Sequence, residues 1–245
     1  MTGDKIPTRV PSAEDSVAKR SDSSAIDAFV RQARAVATRS TTGKGRLILA
    51  LDATMSRQPT WDLACKLQAE MFDAVGKADG LDVQLVYFRG YGECRASRFV
   101  SDTRSLKDLM TRIDCRGGHT QIGKVLAHAL KEGDRGTVNA LVYIGDAMEE
   151  AVDDLADKAA KLGLRGVPIF AFQEGHDPVA ETAFKEIARL SKGAWFRFDG
   201  NSAQTLSKLL SAVAVFASGG LAALEARGRA EDRLMIEHLR AGGRG

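Results

Sequence analysis

Asp52-Ala53-Thr54-Met55-Ser56 places oxygen-bearing side chains at alternate positions. A loop leaving a strand can turn three such short ligands, Asp52, Thr54 and Ser56, toward one point. A carboxylate with two hydroxyls is a hard donor set, suited to Mg2+ or Mn2+ and poorly suited to zinc or copper. No nearby cluster of cysteine and histidine competes. Cys65, Cys94 and Cys115 are far apart, and none forms a C-x-x-C pair, so neither a zinc knuckle nor a redox motif is suggested.

Positioning these groups is the work of the elements around them. Leu47-Ile48-Leu49-Ala50-Leu51 is a continuous apolar run that ends in Asp52. Such a run fits a strand buried on both faces. Ala140-Leu141-Val142-Tyr143-Ile144 repeats the theme and ends in Gly145-Asp146. Between and after them the pattern alternates. A helix is expected from about Thr60 to Lys77, a strand over LDVQLVYFRG, an edge strand near Arg95–Val100 and a short helix over SLKDLMTRI. A glycine turn then leads into a helix at Gln121–Leu130. Beyond Asp146 the pattern predicts a helix (Val152–Leu162), a strand (Val167–Phe172), a helix (Pro178–Leu190), a strand (Ala194–Phe198) and a helix (Ser202–Phe216). A last helix is expected from about Leu221 to Arg240. Strands alternating with helices imply an α/β, Rossmann-like, doubly wound and mostly parallel sheet flanked by helices. Ligands of such sheets gather at the carboxyl ends of the strands, so Asp52 and Asp146 should share one rim.

In this setting Asp52-Ala53-Thr54-Met55-Ser56 resembles the D-x-S-x-S metal-ion-dependent adhesion site of the von Willebrand factor type A family. That family has its motif after the first core strand, a threonine in a later turn that often follows glycines, and an aspartate ending the fourth core strand. Gly117-Gly118-His119-Thr120 and Ile144-Gly145-Asp146 occupy those positions in order. The resemblance covers residues 45–217. It implies a metal site of Asp52, Thr54, Ser56, Thr120 and Asp146, with Mg2+ or Mn2+ as cofactor. It further implies a protein-interaction module, not an enzyme, whose metal is completed by an Asp or Glu carboxylate from a partner protein. Thr54 stands where the family commonly has serine, and its methyl group and stiffer χ1 restrict how the hydroxyl approaches an ion.

Each of these residues also has a purely structural use. Asp52, Asp146, Thr54 and Ser56 can cap helices or brace tight turns, and Thr120 can be the N-cap of the helix that follows it. His119 reads as an exposed turn histidine that can line the rim. Glu149 and Glu150 read as acids opening the next helix. One segment is a decoy. Gly118-His119-Thr120-Gln121-Ile122-Gly123-Lys124-Val125 nearly matches a phosphate-binding loop, but Val125 lacks the hydroxyl that motif needs, and no strand precedes it. A Mg2+-dependent phosphoryl-transfer enzyme is a second reading of Asp52. In Asp52-Ala53-Thr54 the second acid that haloacid-dehalogenase-like phosphatases use is missing. A metal-independent scaffold binding through terminal helices is a third.

Composition bounds the rest. The chain has 245 residues and a formal charge of only +3, which offers no basic face for nucleic acid. The expected organisation is a disordered arm (1–22), an N-terminal helix and linker (23–44), the main domain (45–217) and a C-terminal helix and tail (218–245). The N-terminal stretch has no apolar core of a secretory signal, and three scattered cysteines suit reduced thiols, so a cytoplasmic setting is expected. The apolar stretch Leu209–Leu224 is interrupted by Ser211, Ser218, Gly219 and Gly220. It reads as a buried core helix and not as a membrane span.

Overall fold

Leu47, Ile48, Leu49, Ala50 and Leu51 are all but removed from solvent, as a strand covered on both faces must be. This is β1 (Gly45–Asp52). The computed structural model describes residues 44–55, 58, 61–63, 66, 80–198 and 203–242. The expected N-terminal arm and helix, most of the Thr60–Lys77 helix, Ser56, Cys65 and the last three residues lie outside these. The other strands are β2 (Leu81–Arg89), β3 (Glu93–Val100), β4 (Ala140–Gly145), β5 (Ile169–Glu174) and β6 (Ala194–Phe198). The described helices are α1 (Thr103–Met110), α2 (Ile122–Arg135), α3 (Val152–Leu164), α4 (Pro178–Leu190), α5 (Ala203–Arg227) and α6 (Ala230–Gly242).

The strands form one sheet in the order β3-β2-β1-β4-β5-β6. All neighbours are parallel except β3, the antiparallel edge strand. Alternation along β1 divides the core. Leu47, Leu49 and Leu51 pack on the face that carries α5 and α6, whereas Ile48 and Ala50 pack on the face that carries α2, α3 and α4. From β1 the chain proceeds to β2 on one side, and from β4 to β5 on the other. The β1/β4 pair is therefore the switch point, where loops leave the carboxyl ends in opposite directions and a crevice opens. Leu51 of β1 pairs with Ile144 of β4, so Asp52 and Gly145-Asp146 end their strands side by side.

The C-terminal helices differ from the expected pair. Helical backbone continues from Ala203 to Arg227, kinked at Gly220, where φ is 67° and ψ −159°. That conformation is open to glycine and strained for other residues. Leu206–Arg227 is long and apolar enough to cross a membrane by length and composition, and half of its apolar window is buried in the molecule. Leu206, Leu210, Val213 and Ala217 lie against the sheet. The chain reverses at Gly228-Arg229, where the sequence pattern had suggested uninterrupted helix. Wholly buried Asp232 sets this reversal: it accepts the Arg229 N–H at 3.0 Å and is gripped by the Arg227 guanidinium. Apolar periodicity is silent about such a polar staple.

Candidate metal centre

Asp52 closes β1 at the switch point and is 3% exposed. Its Oδ1 accepts the Thr54 N–H at 2.7 Å, a side-chain-to-backbone turn that bends the chain sharply after the strand. The Ala53 N–H still bonds the Phe88 carbonyl at 2.9 Å, so strand geometry persists up to that bend. Thr54 is buried beside it. Asp146 follows β4 by one residue and is half-buried on the neighbouring strand end. Ser56 lies outside the described residues.

Thr120 belongs to the irregular stretch between α1 and α2, and is buried. Three contacts pin that stretch to the rim. The Arg116 N–H bonds the Ala53 carbonyl at 3.0 Å, next to Asp52. The His119 N–H bonds the Gly90 carbonyl at 3.2 Å, just past β2. The Gln121 side-chain amide donates to the Arg89 and Gly90 carbonyls at 3.2 and 3.3 Å. Gly118 is required by this approach, because a Cβ there would sit 2.1 Å from the Gly90 oxygen.

The loop after β4 completes the junction. The Glu149 N–H donates to Thr120 Oγ1 at 3.0 Å, and Glu149 Oε2 accepts the Thr120 N–H at 3.0 Å. The same oxygen is 3.0 Å from His119 Nδ1. Glu150 accepts the Ile122 and Gly123 N–H groups at 2.5 and 2.8 Å. These two acids were expected to open the helix that follows them. They instead reach across to α2, where Glu150 supplies the missing cap and meets the positive end of the helix dipole. Thr120 does not cap α2: Gln121 holds that position and makes no side-chain cap bond. The Thr120 N–H, and then His119, hold the Glu149 carboxyl below its ordinary range. The signal for this clamp was present as two acids just beyond a strand-terminal Gly-Asp, but sequence alone does not say which backbone they will meet.

A second electrostatic knot braces the β2 side. The half-exposed Asp114 and the Glu93 carboxylate both contact the buried Arg89 guanidinium, at 2.6 and 3.0 Å. The Arg116 guanidinium beside Asp114, followed by that of Arg89, pushes the Asp114 carboxyl down to about 2. Glu93, and then Asp114, raise the pKa of Arg89. The near phosphate-loop segment leads into α2 from irregular chain and not from a strand, which agrees with its rejection on sequence.

No family model matches the chain, and no characterised protein sequence matches it significantly. Solved structures do. A von Willebrand factor type A protein from Catenulispora acidiphila superposes with a TM-score of 0.57 at 16% identity, over 71% of this chain and 43% of that one. The chain has the von Willebrand factor type A fold. Proximal thread matrix protein 1 from the mussel byssus matches with a TM-score of 0.56 at 19% identity, over 70% of this chain and 48% of that one. That protein was solved with zinc in its metal-ion-dependent adhesion site. An aerotolerance-related membrane protein from Bacteroides fragilis gives a TM-score of 0.52 at 20% identity, over 68% of this chain and 98% of that one. The chain thus spans less than half of the Catenulispora and mussel chains.

The candidate residues at this rim offer donors of the kind hard divalent ions accept. Asp52, Thr54, Thr120 and Asp146 present oxygen alone, on loops tied together by hydrogen bonds. Among the described residues no group of three His, Cys, Asp or Glu could hold a metal by itself. A site made from two carboxylates and hydroxyls draws on a different donor set, one that oxygen-seeking cations accept.

Proposed function

We propose that this chain is a divalent-metal-dependent protein-interaction module and not an enzyme. Asp52, Thr54, Ser56, Thr120 and Asp146 would hold Mg2+ or Mn2+, and an Asp or Glu side chain from a partner protein would complete the site. The observation that carries this reading is the switch point. It ends β1 and β4 side by side in Asp52 and Gly145-Asp146, and hydrogen bonds draw the Thr120 loop against both strand ends. A bound cation supplies a charged, directional contact for the incoming carboxylate. Asp52 organises the first loop through the Thr54 N–H. Glu149 orients Thr120 by accepting its N–H and donating to its hydroxyl. Gly118 lets the stretch between α1 and α2 close on the turn between β2 and β3. The zinc in the mussel structure goes against the expectation that such oxygen donors suit zinc poorly, and favours a site of this class taking more than one divalent ion.

We place the module in the cytoplasm, where Cys94 and Cys115 remain thiols. The burial of α5 against the sheet supports a core helix in place of a membrane span. A slight net charge argues against nucleic acid as partner.

Calorimetric titration of Mg2+ and Mn2+ into EDTA-stripped protein tests the reading. Saturable binding that disappears in Asp52→Ala, with the melting temperature retained, is the expected result. Equal heats for wild type and Asp52→Ala would refute the assignment of these residues.

A further inference from the structure

The sheet ends in two edge strands that are not alike. The β3 edge pairs with β2 in a register that shifts between Gln84 and Val86, and it carries the exposed Arg95 and Arg98. Bulges and exposed charges keep an edge from pairing with another chain. The other edge, β6, reads Ala194-Trp195-Phe196-Arg197-Phe198 and pairs with β5 in unbroken register. Among the described residues no other strand lies beside it. Its one charge is turned onto its own chain: the Arg197 guanidinium is held by Glu181 and lies 5.3 Å from the centre of the Trp195 ring.

The outward side of β6 follows from its ladder. The Phe198 carbonyl accepts the Gly175 N–H at 3.2 Å, so Phe198 faces β5. Successive residues of a strand point their backbone groups to opposite sides. Phe196 and Ala194 therefore also face β5, and the N–H and C=O groups of Trp195 and Arg197 point away from the sheet.

A second copy of the chain, running antiparallel with a two-fold axis at Phe196, matches this edge. Trp195 then lies opposite the second copy's Arg197, and each such pair exchanges both of its hydrogen bonds. Small Ala194 lies opposite large Phe198. Arg197 meets a ring and not a like charge, which directly opposite would destabilise the pairing. The indole is already oriented, because its Nε1 donates at 3.1 Å to Oε1 of the wholly buried Gln173. Arg197 Nε is buried with no hydrogen-bond partner among the described residues, and a guanidinium set against a second tryptophan face gains cation–π attraction. On the other face of the sheet the His238 ring packs on Phe196 with centroids 5.0 Å apart. Leu234, one turn earlier in α6, is 41% exposed and adds apolar surface beside the edge.

We propose that β6 is a self-association edge, through which two copies join antiparallel into one continuous sheet. Such an isologous contact needs only one self-complementary patch. A strand of 5 residues is short against the roughly 20–30 residues a side of a standard stable interface, so the dimer is weak, with a dissociation constant on the order of 10 µM.

The test uses the full chain in EDTA, which makes it independent of the metal reading. Sedimentation velocity from about 1 to 500 µM should show monomer passing to dimer around that constant. Over the same range, hydrogen exchange at the Trp195 and Arg197 amides should slow, while Phe196 and Phe198, already bonded to β5, should not change. Trp195→Lys sets like charges opposite each other and should weaken the dimer about tenfold or more, and adding Arg197→Glu, which makes each pair opposite in charge, should restore it to within about threefold. Melting temperatures report whether each variant is folded, and the wild-type exchange result stands without either. A monomer at every concentration would overturn the proposal. So would a dimer in which the Trp195 and Arg197 amides gain no protection, which places the contact elsewhere. Full protection of both amides in the dilute monomer would also overturn it, because another segment of the chain would then cover the edge.

Discussion

At the amino rim of the sheet Glu132 is buried against Arg46 and Arg135, with oxygens 3.6 and 2.7 Å from their guanidinium nitrogens, whereas at the carboxyl rim Glu149 and Glu150 hold backbone N–H groups of a neighbouring loop. Arg46 also lies over the Phe99 ring at 3.8 Å, and its backbone exchanges hydrogen bonds with Asn139, both at 2.8 Å. That rim is closed by charges the chain supplies to itself. The carboxyl rim spends its acids on shaping loops and leaves Met55 and Tyr91 in solvent. The contrast separates a rim that ion pairs hold closed from one whose acids shape loops, and the doubly wound topology opens its crevice at the second, at the strands' carboxyl ends.

Substitutions matched across the two rims should sharpen this division. The largest effect belongs to Gly45 on the amino rim, where a Cβ would lie 2.3 Å from the Ala217 backbone oxygen. Forcing α5 away from β1 should make Gly45→Ala cost about 3 kcal/mol in urea unfolding, the upper end for overpacking. The folded fraction should retain its Mg2+ affinity. Gly118→Ala introduces a comparable clash at the carboxyl rim. There the loop can shift, so a smaller stability loss should accompany weakened Mg2+ binding in calorimetry. Similar behaviour of the two variants would erase the proposed difference.

Next comes Glu132→Ala, which strands Arg46 beside Phe99. A loss of about 2 kcal/mol is expected, below the value for a fully buried pair because Arg46 keeps some solvent contact. Glu150→Ala should cost about 1 kcal/mol, as for loss of a helix cap. It should also speed amide hydrogen exchange at Ile122 and Gly123, while exchange at Arg135 is unchanged. Uniform acceleration along α2 would argue against Glu150 as the local cap.

The smallest effect concerns acid. Asp114 is depressed to about 2, first by Arg116 and then by Arg89, against an ordinary value near 4. Its contribution to stability is thus present above about pH 4 and is lost as the pH falls through about 2. Carboxyl NMR should give a midpoint near 2 for Asp114 that moves toward the ordinary value in Arg116→Gln. An unmoved midpoint would reassign the cause.

Local pattern carried much of the architecture. The apolar runs at Leu47–Leu51 and Ala140–Ile144 are strands, the weaker Arg95–Val100 stretch is the edge strand, and Pro178–Leu190 is a helix over the span expected. Each depends on periodicity within a few consecutive residues, which sequence displays directly. The C-terminal reversal at Gly228-Arg229 escaped because its cause, Asp232 with Arg227, is a buried ion pair in a stretch whose composition suits an exposed helix.

The candidate centre divides along the same line. Sequence alone determined which oxygen donors follow which strands: Asp52 after the first apolar run, Asp146 after Gly145, and Thr120 after paired glycines. Tertiary structure alone decided that β1 and β4 are neighbours, that Gly118 lies on Gly90, and that Glu149 and Glu150 serve Thr120 and α2 in place of their own helix. Donor identity is a property of single residues, and strand ends follow from local hydrophobicity. Which loops meet depends on strand order, set by the packing of the whole sheet between its two layers of helices.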